Sequence, residues 1–363
     1  MESGNEGRGA ALPGECGGYR PVREIGRGGH GTVYLADGPE GRVALKVCPK
    51  PADPARADDW EREKRGWLLF GRIPPHPGLV RVFATGETQG PPAFWIAMQA
   101  ADPEAGGSAA APETYRPLTL ASVAEAEVAL PLGRTLEIGE RLAGALEHLQ
   151  AHHLLHRDVK SGNVLFAGGG PVIADAGLVV DAREAASLVG TPGYVPPENH
   201  GTAQGDVFSL GRTLWRIGTG RSPEEAGFAP CAEADTADPD FWRFLAIVGK
   251  ATADTPGRRY RSAKALRKEL AGLRRRHAAR RLRRLWIVLL AASLPVVVPA
   301  IWNFPNFRVL IMQDEWVRAS ADWPFPYGVL KPFFVSRNAQ PPPWEDAIEA
   351  MENDIMKINK EFR

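Results

Sequence analysis

Eight consecutive residues constrain this chain more than any other stretch: His156-Arg157-Asp158-Val159-Lys160-Ser161-Gly162-Asn163. They put a carboxylate, a Lys two positions on and an Asn five positions on into one short loop. Each side chain offers a different service. The Asp158 carboxylate can accept a proton from an attacking hydroxyl, the Lys160 ammonium can balance negative charge on a group in flight, and the Asn163 carboxamide can hold a metal ion. Phosphoryl transfer needs that division of labour. The His-Arg-Asp triplet alone specifies little, since any long chain can contain one. The test is whether the remaining parts occur, in order, elsewhere in the sequence.

Upstream lies Ile25-Gly26-Arg27-Gly28-Gly29-His30-Gly31-Thr32-Val33-Tyr34, a G-x-G-x-x-G run followed within two residues by Val33. Glycines at this spacing suit two strands joined by a turn over phosphates, because missing side chains let backbone N–H groups approach closely. A dinucleotide-binding reading of the same glycines requires a helix straight after the third one. Here Thr32-Val33-Tyr34-Leu35 follow, which are strand formers.

Further on, Val43-Ala44-Leu45-Lys46-Val47 alternates Val43, Leu45 and Val47 onto one strand face and leaves Ala44 and Lys46 on the other. A lone strand Lys is usually a solvated edge residue. Behind a glycine loop it is suited to grip the α- and β-phosphates of a nucleotide. Such a Lys needs a carboxylate partner on the next helix, which the spacing of Trp60, Trp67 and Phe70 marks out. Glu63 is favoured over Glu61 for that role.

Downstream, Pro171-Val172-Ile173-Ala174 reads as a short apolar strand delivering Asp175-Ala176-Gly177, whose Asp suits a second metal position. Gly190-Thr191-Pro192-Gly193-Tyr194-Val195-Pro196-Pro197-Glu198, then Asp206-Val207-Phe208-Ser209-Leu210-Gly211, then Arg258-Arg259-Tyr260 complete the series. Over about residues 19–275 the chain resembles the bacterial Hanks-type, eukaryotic-like serine/threonine protein kinases. The resemblance implies an α+β, two-lobed fold with a β-rich N-lobe, a helical C-lobe and ATP in the cleft between them. It implies nucleotide contacts from Ile25, Gly26, Gly28, Gly31, Val33, Ala44, Lys46, Met98 and Asn163. Mg2+ (or Mn2+ in its place) falls to Asn163 and Asp175, and catalysis to Asp158, Lys160, Lys46 and Glu63. It further implies an internal Glu198–Arg259 ion pair and an Asp206 that braces the catalytic loop. Lys160 and Thr191 match the serine/threonine pattern. The Gly190 to Glu198 segment, which docks a peptide, favours a protein substrate over a small molecule.

Three features depart from that pattern. The usual Asp-Phe-Gly reads Asp175-Ala176-Gly177, and losing a buried Phe costs about 3–5 kcal/mol when nothing fills the space. Repacking by Trp67 or Leu68 is the expected remedy. With Lys46, Asp158, Asn163 and Asp175 all present, an active enzyme is expected over the alternative, a nucleotide-binding scaffold with weak or no catalysis. The activation segment is short, and Ser187 is its candidate phosphosite, with Arg157 as the partner for the phosphate, against an unmodified serine in an ordered loop. An insertion over about 100–117, rich in small and acidic residues, reads as a surface loop near the cleft mouth. The helix before the catalytic loop is marked by Ile138, Leu142, Leu146 and Leu149, which are core positions.

From Leu285 to Phe307 no residue is charged, and residues 274–284 hold seven arginines. A helix over 285–305 covers a bilayer core of about 30 Å at about 1.5 Å per residue. Pro295 and Pro299 are tolerated in a spanning helix, and Trp286 and Trp302 suit its interfaces. The rival, a buried helix of a soluble domain, does not explain the arginines at 276–284, which stay cytoplasmic and attract anionic headgroups. This places the ATP site in the cytoplasm at the inner or plasma membrane and residues 306–363 outside it. In that tail Trp344, Ile348, Met351, Ile355 and Ile358 suggest a small amphipathic helix, with a homodimer as the other use of the stripe. Residues 1–18, polar and Gly-rich, read as disordered with no signal peptide. Cys16, Cys48 and Cys231 are odd in number and scattered, which argues free thiols. A net charge of +1 with no nucleic-acid-binding motif gives no expectation of a nucleic-acid partner.

Overall fold

The computed structural model describes residues 13–302 except 30, 105–107, 109–110, 185–189, 199–200 and 226–237, with backbone alone at 89 and 295–302. The chain divides into one unit ending at Arg280 and a second beginning at Arg281.

The first unit opens with five strands: β1 (Arg20–Gly28), β2 (Gly31–Gly38), β3 (Gly41–Pro49), β4 (Val82–Gln89) and β5 (Pro92–Gln99). They form one antiparallel sheet in the order β1-β2-β3-β5-β4. The period-two pattern of β3 sorts the two faces. Val43, Leu45 and Val47 pack with Trp95, Ala97, Cys16 and Tyr19 in one apolar cluster. Ala44 and Cys48 join Ile96, Met98 and helix α1 (Ala57–Phe70) in the larger core on the other face. The expected disorder of residues 1–18 does not hold at Cys16. Cys16 and Tyr19 exchange backbone hydrogen bonds at 3.0 Å, and both are buried. Gly17 lies against the Trp95 ring so closely that a Cβ would stand 2.4 Å from it. Burial of that indole favours order here despite the glycine-rich composition; residues 1–12 lie outside the described residues.

The helical half contains α2 (Leu120–Ala126), α3 (Leu132–Ala151), α4 (Ala203–Thr219), α5 (Pro239–Ala251) and the start of α6 (Ala263–Trp302). Leu136, Leu142, Leu146 and Leu149 of α3 are fully buried, each contributing on the order of 2 kcal/mol through burial. Thr202 caps α4 by accepting from the Gly205 amide, and Gly220 ends it at φ 72°, a left-handed conformation that favours glycine. Between these helices run short ribbons: β6 (Leu154–Leu155) with β9 (Val180–Asp181), and β7 (Val164–Ala167) with β8 (Gly170–Ile173). The α6 backbone is helical through the basic segment and on to Trp302. Ala263, Leu266, Leu270 and Leu273 bury one face of its first turns. In the second unit, Leu285, Trp286, Ile287, Val288, Leu289, Leu290 and Leu294 are exposed. Among the described residues no helix is long and apolar enough to cross a membrane. Ser187, Cys231 and the tail beyond Trp302 lie outside the described residues, and so does part of the expected span over 285–305.

Candidate active site

Position in the sheet fixes the first group. The register pairs Lys46 of β3 with Ile96 of β5 and Ala44 with Met98, so the Lys46 side chain faces α1. There its Nζ lies 2.5 Å from Glu63 Oε1 and 3.5 Å from Asp175 Oδ1, and 5.6 Å from the centroid of the Trp67 ring. Glu61 points to solvent on the same helix. Burial pulls the Lys46 pKa down, but the carboxylates of Asp175 and Glu63 more than offset this and raise it. Burial likewise pushes Asp175 up, and the Lys46 ammonium with the Gly177 amide brings it below the ordinary carboxylate value. Both groups are therefore held in their charged forms.

The second group sits in the loop between β6 and β7. Asp206, buried at the start of α4, accepts from the backbone N–H of His156 at 2.9 Å and of Arg157 at 2.7 Å. Arg157 has φ 68°, a conformation costing about 1–3 kcal/mol for a side-chain-bearing residue. The two Asp206 bonds, and the Arg157 Nε donation to Leu178 O at 2.8 Å, hold it there. Asp158 emerges from this braced loop. Its Oδ1 accepts from the Thr191 hydroxyl at 2.7 Å, and its Oδ2 from Asn163 Nδ2 at 2.7 Å and from Lys160 Nζ at 3.0 Å. Lys160 Nζ also donates to Thr191 Oγ1 at 2.6 Å.

The β7–β8 ribbon then joins the two metal-binding candidates. Asn163 precedes β7, Asp175 follows β8, and the Ala174 N–H donates to Asn163 O at 2.9 Å. Asn163 uses its amide nitrogen on Asp158, while Asp175 Oδ1 takes Gly177 N–H and Lys46. What is left over is oxygen: one carbonyl and one carboxylate oxygen. That donor chemistry suits a hard divalent cation whose remaining ligands are phosphate and water oxygens.

A cavity of about 260 Å³ is lined by Ile25, Gly26, Val33, Ala44, Lys46, Met98, Asn163 and Asp175, together with Trp67, Ala101, Tyr115, Pro117, Gly162, Leu165 and Ala174. Gly28 and Gly31 lie at the tip of the β1–β2 hairpin, against a separate depression. Gly31 has a packing reason as well, since a Cβ there would stand 2.5 Å from Val47 O. Asp158, Lys160 and Glu63 adjoin the cavity through Asn163 and Lys46 and do not line it.

With Ala176, the residue that stands in place of the usual Phe, Trp67 shares one buried core cluster. It is fully buried and walls the cavity beside Lys46. Next to it, Gly66 lets α1 approach the Asp175-Ala176-Gly177 backbone so closely that a Cβ would lie 2.6 Å from Ala176 O. Farther off, Arg259 holds Glu198 through a two-pronged pair at 2.5 and 2.6 Å. The inserted segment is not wholly a surface loop. Tyr115 is 1% exposed and its hydroxyl donates to Ala101 O at 2.9 Å. Composition hid it, because one aromatic among small and acidic residues has no periodic signal.

Residues 19–256 match the protein kinase domain family model. The chain is 33% identical over 219 residues to the serine/threonine-protein kinase PknK of Mycobacterium bovis, covering 57% of this chain and 18% of that protein. It is 32% identical over 223 residues to the DNA damage-responsive serine/threonine-protein kinase RqkA of Deinococcus radiodurans, covering 57% and 30%. The chain thus spans less than a third of the length of these two relatives. The crystal structure of the Mycobacterium tuberculosis PknI kinase domain superposes with a TM-score of 0.53 at 27% identity, covering 73% of this chain and 99% of that one. The chain belongs to the protein kinase domain family, with bacterial serine/threonine kinases among its relatives.

Proposed function

We propose that the chain is an ATP-dependent serine/threonine protein kinase of bacterial signalling, anchored in the membrane. The observation that carries the enzymatic reading is the set of bonds around Asp158. Thr191, Lys160 and Asn163 all converge on its carboxylate, from a loop that continues into the nucleotide-sized cavity. A substrate hydroxyl reaching Asp158 gives up its proton there as its oxygen attacks the γ-phosphorus, and the bond to the β-phosphate oxygen breaks to leave ADP. Lys46, held by Glu63, orients the α- and β-phosphates, and Lys160 balances charge on the moving phosphoryl group. Asn163 and Asp175 would hold Mg2+ or Mn2+, which supplies charge neutralisation between the β- and γ-phosphates. The backbone of the glycine hairpin covers the phosphates. Arg56 steadies its tip by donating to Gly29 O at 2.7 Å.

The alternative of a non-catalytic scaffold would draw support from a collapsed or unfilled Asp175-Ala176-Gly177 site. Ala176 is fully buried and the helix at Gly66 lies close against its carbonyl, which favours the enzyme. Incubating the full chain with ATP and a protein acceptor, with mass spectrometry of the products, tests the reading. Phosphoserine or phosphothreonine is expected, and nucleotide binding with no transfer would favour the scaffold instead.

The membrane part of the reading rests on sequence and exposure. The uncharged run from 285 to 307 follows seven arginines, and its apolar side chains from Leu285 to Leu290 have no cover in the described residues. Lipid is the natural cover for such a surface, with the basic flank in the cytoplasm and the tail outside. Reporter fusions at Arg363 should be active only outside the cytoplasm; cytoplasmic activity would reverse or remove the span.

A further inference from the structure

We propose that Tyr115, carried into the cleft by the segment inserted after β5, is a specificity-determining residue that closes the nucleoside end of the cavity against substituted base or ribose. The inference rests on the ATP-dependent reading above and adds the limit on which nucleotides enter.

Placement comes first. The two charged lining residues, Lys46 and Asp175, lie 3.5 Å apart, and Asn163 is tied beside them through the Ala174 N–H. Ala101 lies five residues past Ile96, the register partner of Lys46, so the chain runs away from the phosphate-binding ammonium by up to about 16 Å at about 3.3 Å per residue. Tyr115 is bonded to Ala101, and Met98, Pro117 and Leu165 share that apolar end. A nucleotide with its phosphates at Lys46 therefore brings its nucleoside toward Tyr115.

The ring is also held in place, which separates a wall from a passing side chain. The antiparallel Pro103–Pro117 bridge pairs the two ends of the inserted segment, with Glu104 N–H donating to Arg116 O and Leu118 N–H to Asp102 O. Asp102 fastens its base by accepting from Gly168 N–H at 2.9 Å and Gly169 N–H at 2.8 Å, in the β7–β8 turn. Arg23 of β1 donates to Pro112 O, which ties the insertion to the strand bearing the glycine hairpin. Both lobes thus grip the insertion. Burial pushes the Tyr115 hydroxyl up to about 12, so it remains a donor to Ala101 throughout the working pH range. An aromatic ring fixed by its own hydroxyl and by two lobes yields little to a bulky ligand.

The test uses the full chain in detergent and measures dissociation constants for ATP and two analogues, one bearing an N-methylanthraniloyl group on the ribose and one a benzyl group on the base N6. Wild type should prefer ATP over at least one analogue by about tenfold or more, the size of discrimination a steric wall of this kind gives. Tyr115→Ala should bring that ratio near parity, read as a ratio within the variant whatever its own ATP affinity; Tyr115→Phe, which keeps the ring, should hold the wild-type ratio. Equal binding of ATP and both analogues by wild type overturns the proposal, and this arm needs no variant to fold. An unchanged ratio in folded Tyr115→Ala overturns it as well. A folded wild type that binds no ATP would instead overturn the kinase reading on which the proposal stands.

Discussion

The Lys46 ammonium lies 2.5 Å from the Glu63 carboxylate, both side chains being almost wholly enclosed between β3 and α1. Removing one partner of a buried pair leaves the other uncompensated, at a cost of about 3–5 kcal/mol. Lys46→Met should therefore lower stability and reduce phosphate transfer by about a hundredfold or more, because it also removes the phosphate-binding cation. Glu63→Gln keeps an acceptor for Lys46 and should lose less stability than activity. Urea titration beside a transfer assay checks both. Equal transfer by Lys46→Met and wild type would contradict the site.

Thr191 touches the general base and its neighbouring Lys at once, at 2.7 Å from Asp158 Oδ1 and 2.6 Å from Lys160 Nζ. Thr191→Val keeps the shape and removes both bonds. A drop in kcat of about ten- to a hundredfold is expected, with the KM for ATP nearly unchanged, since general-base positioning acts on the chemical step. A change confined to KM for ATP would place Thr191 elsewhere in the cycle.

The close approach of Gly66 to Ala176 makes a paired prediction. Gly66→Ala puts a Cβ 2.6 Å from a carbonyl oxygen of the Asp175-Ala176-Gly177 segment, so backbone must shift. Ala176→Phe restores the family's usual residue but adds bulk at a fully buried position, at about 1–3 kcal/mol. Trp67→Ala should cost about 3–5 kcal/mol. Combining Trp67→Ala with Ala176→Phe should recover part of that loss. Thermal unfolding of the four variants decides; a strictly additive double variant would show that the two side chains do not share one space.

Much of this site could be read from the chain because its chemistry depends on short-range spacing. One loop fixes Asp158, Lys160 and Asn163, one strand fixes Ala44 and Lys46, and helical spacing picks out Glu63. What escaped the sequence depends on contacts between distant segments. Cys16 looks like part of a polar leader until Tyr19 and Trp95 are seen in one cluster with it. Tyr115 has no periodic neighbours, and its position is set by Asp102, Gly168, Gly169 and Arg23, none of which announces the contact locally. The close approach of α1 to Ala176 at Gly66 also has no sequence signal, because a glycine inside a helix reads only as a weak position.

Acid sensitivity follows from His156. Burial lowers its pKa below the ordinary 6.5, so the folded chain keeps the imidazole neutral while the unfolded chain titrates near 6.5. Between those two values the unfolded state binds the extra proton, so this contribution is complete above the unfolded value and stability falls as pH drops below it. His76, lowered by burial and by His148, acts in the same direction. The melting temperature should fall between about pH 7.5 and 5.5, and His156→Gln should flatten that slope. The same slope in wild type and His156→Gln would remove His156 as a cause.

The most direct measurement is the rate of γ-phosphate transfer from ATP to protein serine or threonine by the full chain, set beside Asp158→Asn. The substitution keeps the size of the side chain and removes the proton acceptor. A fall of about a hundredfold or more, with ATP still bound, is the expected result. Equal rates in the two proteins would contradict the assignment of Asp158 and the catalytic account built around it.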